Sequence, residues 1–405
     1  MRHVCSSILL ALAFTGCAAR GAQAPSPSSP AFVPIDAPAG DAEATCARSP
    51  VSAETSTFFS SVSIESADSV DVAASGDLWP SCTSGDVVFM AWGDGYGFTQ
   101  DHKGKRPDIG VASLTGEPWT SIQGTNRTQD RGAIQAVFRV WSKGPYYQKP
   151  TGMLCAGRRI YMAVQDLDGP TYDDVPAATI AASDDEGKTW TEGNAPMFTG
   201  AVFTTIMFLD FGTGPDPAAG SYVYAYGLDH NWRASTHVLD PQGLYLARIP
   251  AQEDLLDRRN WEFYAGPDAA GVPTWSRDIT EKRAVLVDCT RRHVGDTKDS
   301  PKGYSVISQG GVVYDAPLHR YIYTSWTEYT FEFYEAPAPW GPWRRFLSKD
   351  FGLPPWTAAN HGGYGTSIPS RYISKDGTTM WVQSNTWSAG VDHNNLALRK
   401  LVVQP

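Results

Sequence analysis

Ser183-Asp184-Asp185-Glu186-Gly187-Lys188-Thr189-Trp190 fits the pattern Ser-x-Asp-x-Gly-x-Thr-Trp at every defined position. Such a stretch is suited to turning a β-hairpin. Asp185 can accept backbone N–H groups across the turn, and Gly187 can adopt a positive φ. Trp190 then opens the next strand and buries a large apolar face between sheets. Working outward, strand-like runs recur between Gly, Asp and Pro turns. They lie at 86–92, at 159–164 with 178–183, and at 204–208 with 222–226 and 243–248. Two more groups follow, 311–314 with 320–326 and 331–334, then 367–373 with 379–382 and 396–403. Ser374-Lys375-Asp376-Gly377, ahead of Met380-Trp381, reads as a degenerate copy of the first turn. Helical periodicity is scarce, and 251–259 is the best short-helix candidate.

Five groups of short strands predict an all-β chain folded as a five-bladed β-propeller, since each blade takes four strands. Fourteen Trp, 18 Tyr and 38 Gly suit many short strands with tight turns and aromatic platforms. A six-bladed, sialidase-like propeller is the alternative count; a two-sheet sandwich explains the turn motif less well. The motif resembles the Asp-box of sialidases and other sugar-handling propellers, where it sits on the rim, far from the catalytic centre. It therefore speaks for architecture and not for chemistry.

The N-terminus reads as an export signal. Arg2 and His3 precede an apolar run at 8–14, too short to span a bilayer. Phe14-Thr15-Gly16-Cys17 resembles a bacterial lipobox in which Cys17 would carry lipid, with Phe14 where Leu is usual. Cleavage after Ala19 or Ala24 and free secretion is the alternative. Residues 18–44, rich in Ala, Pro and Ser, read as a flexible tether. The expected organisation is thus signal peptide 1–17, tether 18–44 and a single propeller domain 45–405. The protein would be exported, either lipid-anchored to the bacterial cell envelope or secreted, and monomeric. A net charge of −10 argues against nucleic acid or an anionic membrane surface as partner. Cys46, Cys82, Cys155 and Cys289 could form two disulfides in an exported protein, with the pairing open. No zinc-site spacing occurs and no organic cofactor is implied. Asp392-His393-Asn394-Asn395 has oxygens that could coordinate a structural calcium, although such a loop is usually a turn.

In a propeller the inner strand of each blade points its end into a central funnel, so catalytic groups come from several blades. On that logic Asp77-Leu78-Trp79-Pro80 and Trp92-Gly93-Asp94-Gly95-Tyr96 stand out, with two acids bracketing one strand beside aromatic rings. Glycoside hydrolysis needs such a pair of carboxylates, one to protonate the leaving oxygen and one as nucleophile or base. Flanking rings would bind sugar faces and raise the acid's pKa by partial desolvation. The plain alternative is that Asp77 and Asp94 are turn residues. Glu328, after Trp326-Thr327, is the reserve acid. Lys149, His230 and Arg292 are candidate polar contacts, and Trp79, Trp92, Tyr96 and Trp326 candidate stacking surfaces. A sialidase-like reading would need three converging arginines, drawn from Arg106, Arg233, Arg292 and Arg371.

Trp79-Pro80, Gly93-Asp94-Gly95-Tyr96-Gly97-Phe98, Leu246-Ala247-Arg248-Ile249-Pro250, Trp261-Glu262-Phe263-Tyr264, Trp340-Gly341-Pro342-Trp343 and Tyr364-Gly365-Thr366-Ser367-Ile368-Pro369-Ser370-Arg371 together resemble domain-of-unknown-function family 4185. That family is similar to five-bladed propeller glycosidases, and some members are endo-D-arabinanases of glycoside hydrolase family 183. The resemblance implies cleavage of arabinofuranosyl linkages by two Asp residues near the start of the domain, which Asp77 and Asp94 match in placement. The expected function is therefore an exported polysaccharide-active glycoside hydrolase. A non-catalytic carbohydrate-binding lipoprotein on the same scaffold is the rival, and a sialidase-like exo-glycosidase is a third reading.

Overall fold

Antiparallel meanders account for nearly all the regular structure in the computed structural model, which describes residues 41–50, 52–98, 108–128, 142–193, 196–212, 222–235, 237–294, 301–351, 363–387 and 394–405. All of these belong to the compact unit Asp36–Pro405. A short helix α1 (Asp41–Arg48) precedes strand β1 (Ser61–Asp77). The first meander is β2 (Ser81–Ser84), β3 (Val87–Gly97), β4 (Ile109–Glu117) and β5 (Ser121–Asn126). The second is β6 (Tyr146–Ala156), β7 (Arg159–Asp168) and β8 (Ala177–Ser183), edged by the two-residue strands β9 (Thr191–Glu192) and β10 (Phe198–Thr199). The third is β11 (Thr205–Asp210), β12 (Tyr222–Leu228), β13 (Gly243–Pro250) and β14 (Glu262–Pro267), extended by β15 (Pro273–Ser276) and β16 (Ala284–Val287). A ribbon of β17 (Arg291–Arg292) and β18 (Tyr304–Ser305) leads to the fourth, β19 (Gly311–Asp315), β20 (Arg320–Trp326), β21 (Thr330–Ala336) and β22 (Arg344–Asp350). The fifth is β23 (Tyr364–Ser367), β24 (Thr379–Trp387) and β25 (Asn394–Gln404), and its outer strand is β1, paired along β25 from Ser61↔Gln404 to Ser75↔Asn395.

The meanders form a ring because each buries an apolar face against the next. Cys82, Phe89 and Val111 of the first pack on Met153, Met162 and Trp190 of the second. Ala163 and Ile180 of the second meet Ile206, Tyr245 and Phe263 of the third. Met207, Tyr226 and Leu246 of the third meet Val312, Tyr323 and Tyr334 of the fourth. Ile322, Phe331 and Phe333 meet Val382 and Leu401 of the fifth. Trp381 and Leu398 of the fifth return to Val88, Met90 and Trp92 of the first. The five first strands line the axis, where Ser81, Thr151, Gly152, Met207, Gly311 and Ser367 border a narrow cavity of ≈ 20 Å³, room for a water molecule. This is a β-propeller, the all-β class expected from the turn motif and strand spacing.

The Asp-box turns the hairpin after β8 as its chemistry dictates. Asp185 Oδ1 accepts the N–H groups of Lys188 and Thr189 at 3.1 and 2.8 Å, and its Oδ2 accepts the Thr189 hydroxyl at 2.6 Å. Gly187 sits at φ 86°, and the buried Trp190 indole donates to its carbonyl. Ser374 and Asp376 repeat the arrangement on a smaller scale, with Thr378 N–H on Asp376 and Gly377 at φ 75°.

Two expectations are adjusted. The short helix expected at 251–259 is only a 3₁₀ turn at Arg258–Asn260: Asp257 caps its start by accepting the Arg259 N–H, and Trp261 ends it by returning to extended backbone at φ −83°, ψ 135°. Residues 41–44, placed in the tether, are helical, because Ala42 packs into the core beside Tyr245 and Cys46 is disulfide-bonded to Cys289. The second disulfide joins Cys82 on β2 to Cys155 on β6, so it staples the first meander to the second. The export signal and Cys17 lie outside the described residues.

Candidate functional site

Asp77 is the last residue of β1, where the chain must reverse into β2. The reversal is tight: Trp79 N–H donates to the Asp77 carbonyl at 3.0 Å around Leu78 at φ 73°, a γ-turn geometry, and Trp79 follows at φ 49°. Bulky residues in the left-handed region cost about 1–3 kcal/mol each and persist only where the surroundings over-determine them. Here Leu78 is locked in the core between the fourth and fifth meanders, and the Trp79 indole donates to the Gly76 carbonyl. Asp94 comes alongside because β3 pairs with the end of β1, Asp77 opposite Gly93. That approach requires Gly95, where a Cβ would lie 2.2 Å from the Ser75 carbonyl oxygen. Gly93 in turn leaves a lane for Lys149, whose Cδ and Nζ would be 3.1 and 3.2 Å from any Cβ there.

Lys149, buried at the start of β6, forms an ion pair with Asp94 Oδ2. Tyr364, which opens β23, donates its hydroxyl to Asp77. Arg233, in the connection from β12 to β13, ion-pairs with Glu328 from the β20–β21 turn and lies 3.7 Å from Asp173 in the β7–β8 connection. Asp173 also meets His237 Nδ1 at 2.7 Å. The Arg233 guanidinium lies over the Trp232 ring, and Trp232, Trp326 and Tyr364 pack together at ring separations of 5.5–6.4 Å. The cluster therefore draws a group from every meander. All of them sit where first strands begin or where second strands turn into third strands, the same end of the ring. The Asp-box, in the turn from third strand to fourth, sits at the other end.

Electrostatics separates the two aspartates. Burial pushes the Asp77 carboxyl up to about 6; the Lys149 ammonium pulls it down, the Asp94 charge adds to the rise, and the Tyr364 hydroxyl partly offsets it. The residue keeps some surface, but Asp77 Oδ1 itself is enclosed and accepts no hydrogen bond among the described residues. Asp94 is partly exposed and ion-paired. Glu328 is buried, which raises its pKa against the opposing pull of Arg233, and Arg233 is raised despite burial by Glu328 and Asp173. A carboxyl raised to about 6 beside a second, ion-paired carboxylate can perform general acid chemistry.

Of the residues singled out from sequence, Asp77, Asp94, Lys149, Glu328 and Arg233 come together. Tyr96 lies just beyond Asp94, with its backbone carbonyl held by Asn126. The tryptophans are corrected. Trp79, Trp92 and Trp326 are 0 %, 1 % and 1 % exposed, and their indoles donate inward to the carbonyls of Gly76, Gly95 and Gln309. They form the floor beneath the cluster and no ring face is open to a sugar. His230 turns away, 3.8 Å from Glu43 of α1, because its φ of 67° swings it from the strand direction. Arg292 is bound to Glu332 and Ser348 on the outer strands of the fourth meander, where it neutralises a buried carboxylate. Arg371 pairs with Asp86 and Glu117. Arg106 lies outside the described residues, as does the 99–106 segment. Asp173 and the pairing role of Tyr364 were missed. Asp173 had one available signal, its place before a strand in Tyr172-Asp173-Asp174. Among the described residues no group of three or more His, Cys, Asp or Glu side chains is arranged to hold a metal ion, and Asp392 and His393 of the 392–395 loop lie outside them.

No known protein family matches the chain, and no curated protein matches it. Among solved structures it is similar to a thermostable family-43 glycoside hydrolase, at 13% identity over 87% of this chain and 96% of that one, with a TM-score of 0.46. It is similar also to the GH43_1 enzyme of Xanthomonas citri complexed with xylotriose, at 12% identity over 90% and 93%, TM-score 0.43. A third is the native arabinanase of Bacillus subtilis, at 10% identity over 82% and 96%, TM-score 0.38.

Proposed function

We propose that this protein is an exported glycoside hydrolase acting on a neutral polysaccharide, its five meanders being the blades of a five-bladed propeller. Asp77 serves as general acid and Asp94 as nucleophile or base. The observation that carries this reading is the unequal carboxylate pair: Asp77, enclosed and raised to about 6, beside the ion-paired Asp94. In the proposed reaction Asp77 gives its proton to the leaving glycosidic oxygen. Asp94, on the other side, stabilises or attacks the positive charge that develops at the anomeric carbon. Lys149 holds the Asp94 carboxylate in place through their ion pair, and Tyr364 fixes the Asp77 carboxyl for transfer. Arabinofuranosyl polymers are the first candidates, from the resemblance to endo-D-arabinanases. The Cys17 lipid anchor and the tether belong to the same reading of a cell-envelope enzyme.

A neutral substrate fits the charge of the cluster better than an acidic one. Even with Asp77 holding its proton, three carboxylates, Asp94, Asp173 and Glu328, face two basic side chains, Lys149 and Arg233. An anionic sugar would meet net repulsion, which counts against a sialidase-like reading. The test is product analysis of the purified protein on arabinogalactan, arabinan, xylan, galactan and polygalacturonate, with Asp77→Asn and Asp94→Asn in parallel. Release of oligosaccharides from a neutral polymer is expected, reduced about 10²–10⁴-fold in each variant. Polymer binding without release by the parent would instead establish a binding protein.

A further inference from the structure

The buried tryptophans leave the cluster without an obvious surface for holding a polymer, and the described residues offer one elsewhere on the same end of the ring. Among the described residues, large apolar or aromatic side chains with substantial exposure are few: Trp119, Tyr147, Tyr172, Leu239, Val272 and Val294. Trp119 lies in the β4–β5 turn, at the end away from the carboxylates. The other two aromatic rings, Tyr147 at 46 % and Tyr172 at 48 % exposure, both belong to the mouth edge of the second meander.

Their placement follows from the backbone. Tyr147 precedes Lys149 by two residues on β6, so it sits on the same face about 7 Å further out along the strand. Its ring rests against Gly169, where a Cβ would come within 2.5 Å of Cε2, and no bulkier residue could occupy that position without displacing the ring. Tyr172 stands in the β7–β8 connection immediately before Asp173, which contacts Arg233 and His237. It is held at φ 58°, rare for an aromatic residue. Its N–H donates to the Asp168 carbonyl at 3.0 Å, and its carbonyl accepts the Trp232 indole at 2.7 Å. The same loop is braced by Asp168 on Thr171 and by the Tyr146 hydroxyl on Asp174. A strained backbone is thus fixed at both peptide groups while the ring it carries is left in solvent.

The structure assigns Tyr147 and Tyr172 as a stacking platform that holds sugar units of an uncharged glycan chain beside the Asp77–Asp94 pair. This assignment rests on the carbohydrate-active reading above and adds where the polymer runs, outward over the second meander. The occupant is an uncharged glycan because this edge is acidic: Tyr147 rests against Gly169, next to Asp168, and Tyr172 directly precedes Asp173 and Asp174, a local field that disfavours a uronic or sialic acid. A tyrosine offers an apolar ring face to the C–H side of a sugar and a hydroxyl to water.

The test uses the full chain in the Asp77→Asn background, so that binding is read without turnover, by retardation in native gels cast with arabinan, xylan or galactan. Tyr147→Ala and Tyr172→Ala are expected to weaken retention by the bound polymer about ten-fold or more each, with the phenylalanine replacements close to the parent. Circular dichroism and thermal melts of the same variants separate loss of the ring from loss of the fold. If the parent is retarded and the alanine variants are retarded equally, the platform is wrong while the carbohydrate reading stands. If no polymer retards the parent, both fall.

Discussion

Asp77 stores the most consequential local conflict in the molecule, a carboxyl enclosed on one side and set beside a second acid. A group whose folded pKa is raised favours the native state below its unfolded value of 3.8 and loses that advantage as pH climbs through about 6. Asp77→Asn should therefore become more stabilising relative to the parent between pH 4 and 8, by on the order of 2–3 kcal/mol, as read by urea denaturation at both pH values. Lys149 pulls the same pKa down. Replacing it with methionine should raise the pKa of Asp77 and carry the alkaline limb of the kcat/KM profile to higher pH. A structural lysine would leave that limb where it was. Gly95→Ala should cost about 1–3 kcal/mol and most of the activity, because a Cβ 2.2 Å from the Ser75 oxygen forces β1 and β3 apart. The sequence made the two acids visible, since each stands close to an aromatic residue at what reads as a strand boundary. It misjudged the tryptophans because a ring next to an acid reads the same whether it faces the funnel or the neighbouring sheet.

At the level of single elements, the Asp-box hairpin is a self-contained device. Asp185 accepts two backbone N–H groups and two hydroxyls. Burial would raise its pKa, but the Thr189, Ser183 and Lys188 hydrogen bonds outweigh that and hold it below the usual carboxylate range. Asp185→Ala should destabilise the protein by about 1–2 kcal/mol in denaturant titration. Turnover should be unchanged, because the hairpin is at the end of the ring opposite the carboxylates. The motif was legible because the hydrogen bonds that shape the turn all fall within eight residues. The β7–β8 connection was not legible: Tyr172 and Asp173 gain their positions from Trp232, Arg233 and His237, some 60 residues away in the chain.

For the whole molecule, closure is the controlling event. β1 completes the last meander by pairing with β25, so the first and last strands of the chain hold the ring shut. A sheet left open there would expose a long unpaired edge on β25. The Cys46–Cys289 bond adds a second long-range tie, joining α1 to the segment just after β16 across 243 residues of sequence. Cys46→Ser with Cys289→Ser should lower stability by about 2–4 kcal/mol, seen as a reduced Tm that no longer responds to reductant at that bond.

By itself the sequence determined the all-β class, the spacing of the strand groups and the Asp-box. These rest on local chemistry, turn residues, alternation and glycine, which act over a few positions. The sequence also singled out Asp77 and Asp94 but read them as bracketing one inner strand, whereas β2 and most of β3 lie between them and Asp94 is within β3. Only the tertiary structure decided which charges meet. Lys149 reaches Asp94 and Arg233 reaches Glu328 across different meanders, while Arg292 and His230 are drawn to Glu332 and Glu43 instead. Electrostatic partners are selected by distance in space, and in a ring of meanders that distance is set by how the apolar faces pack.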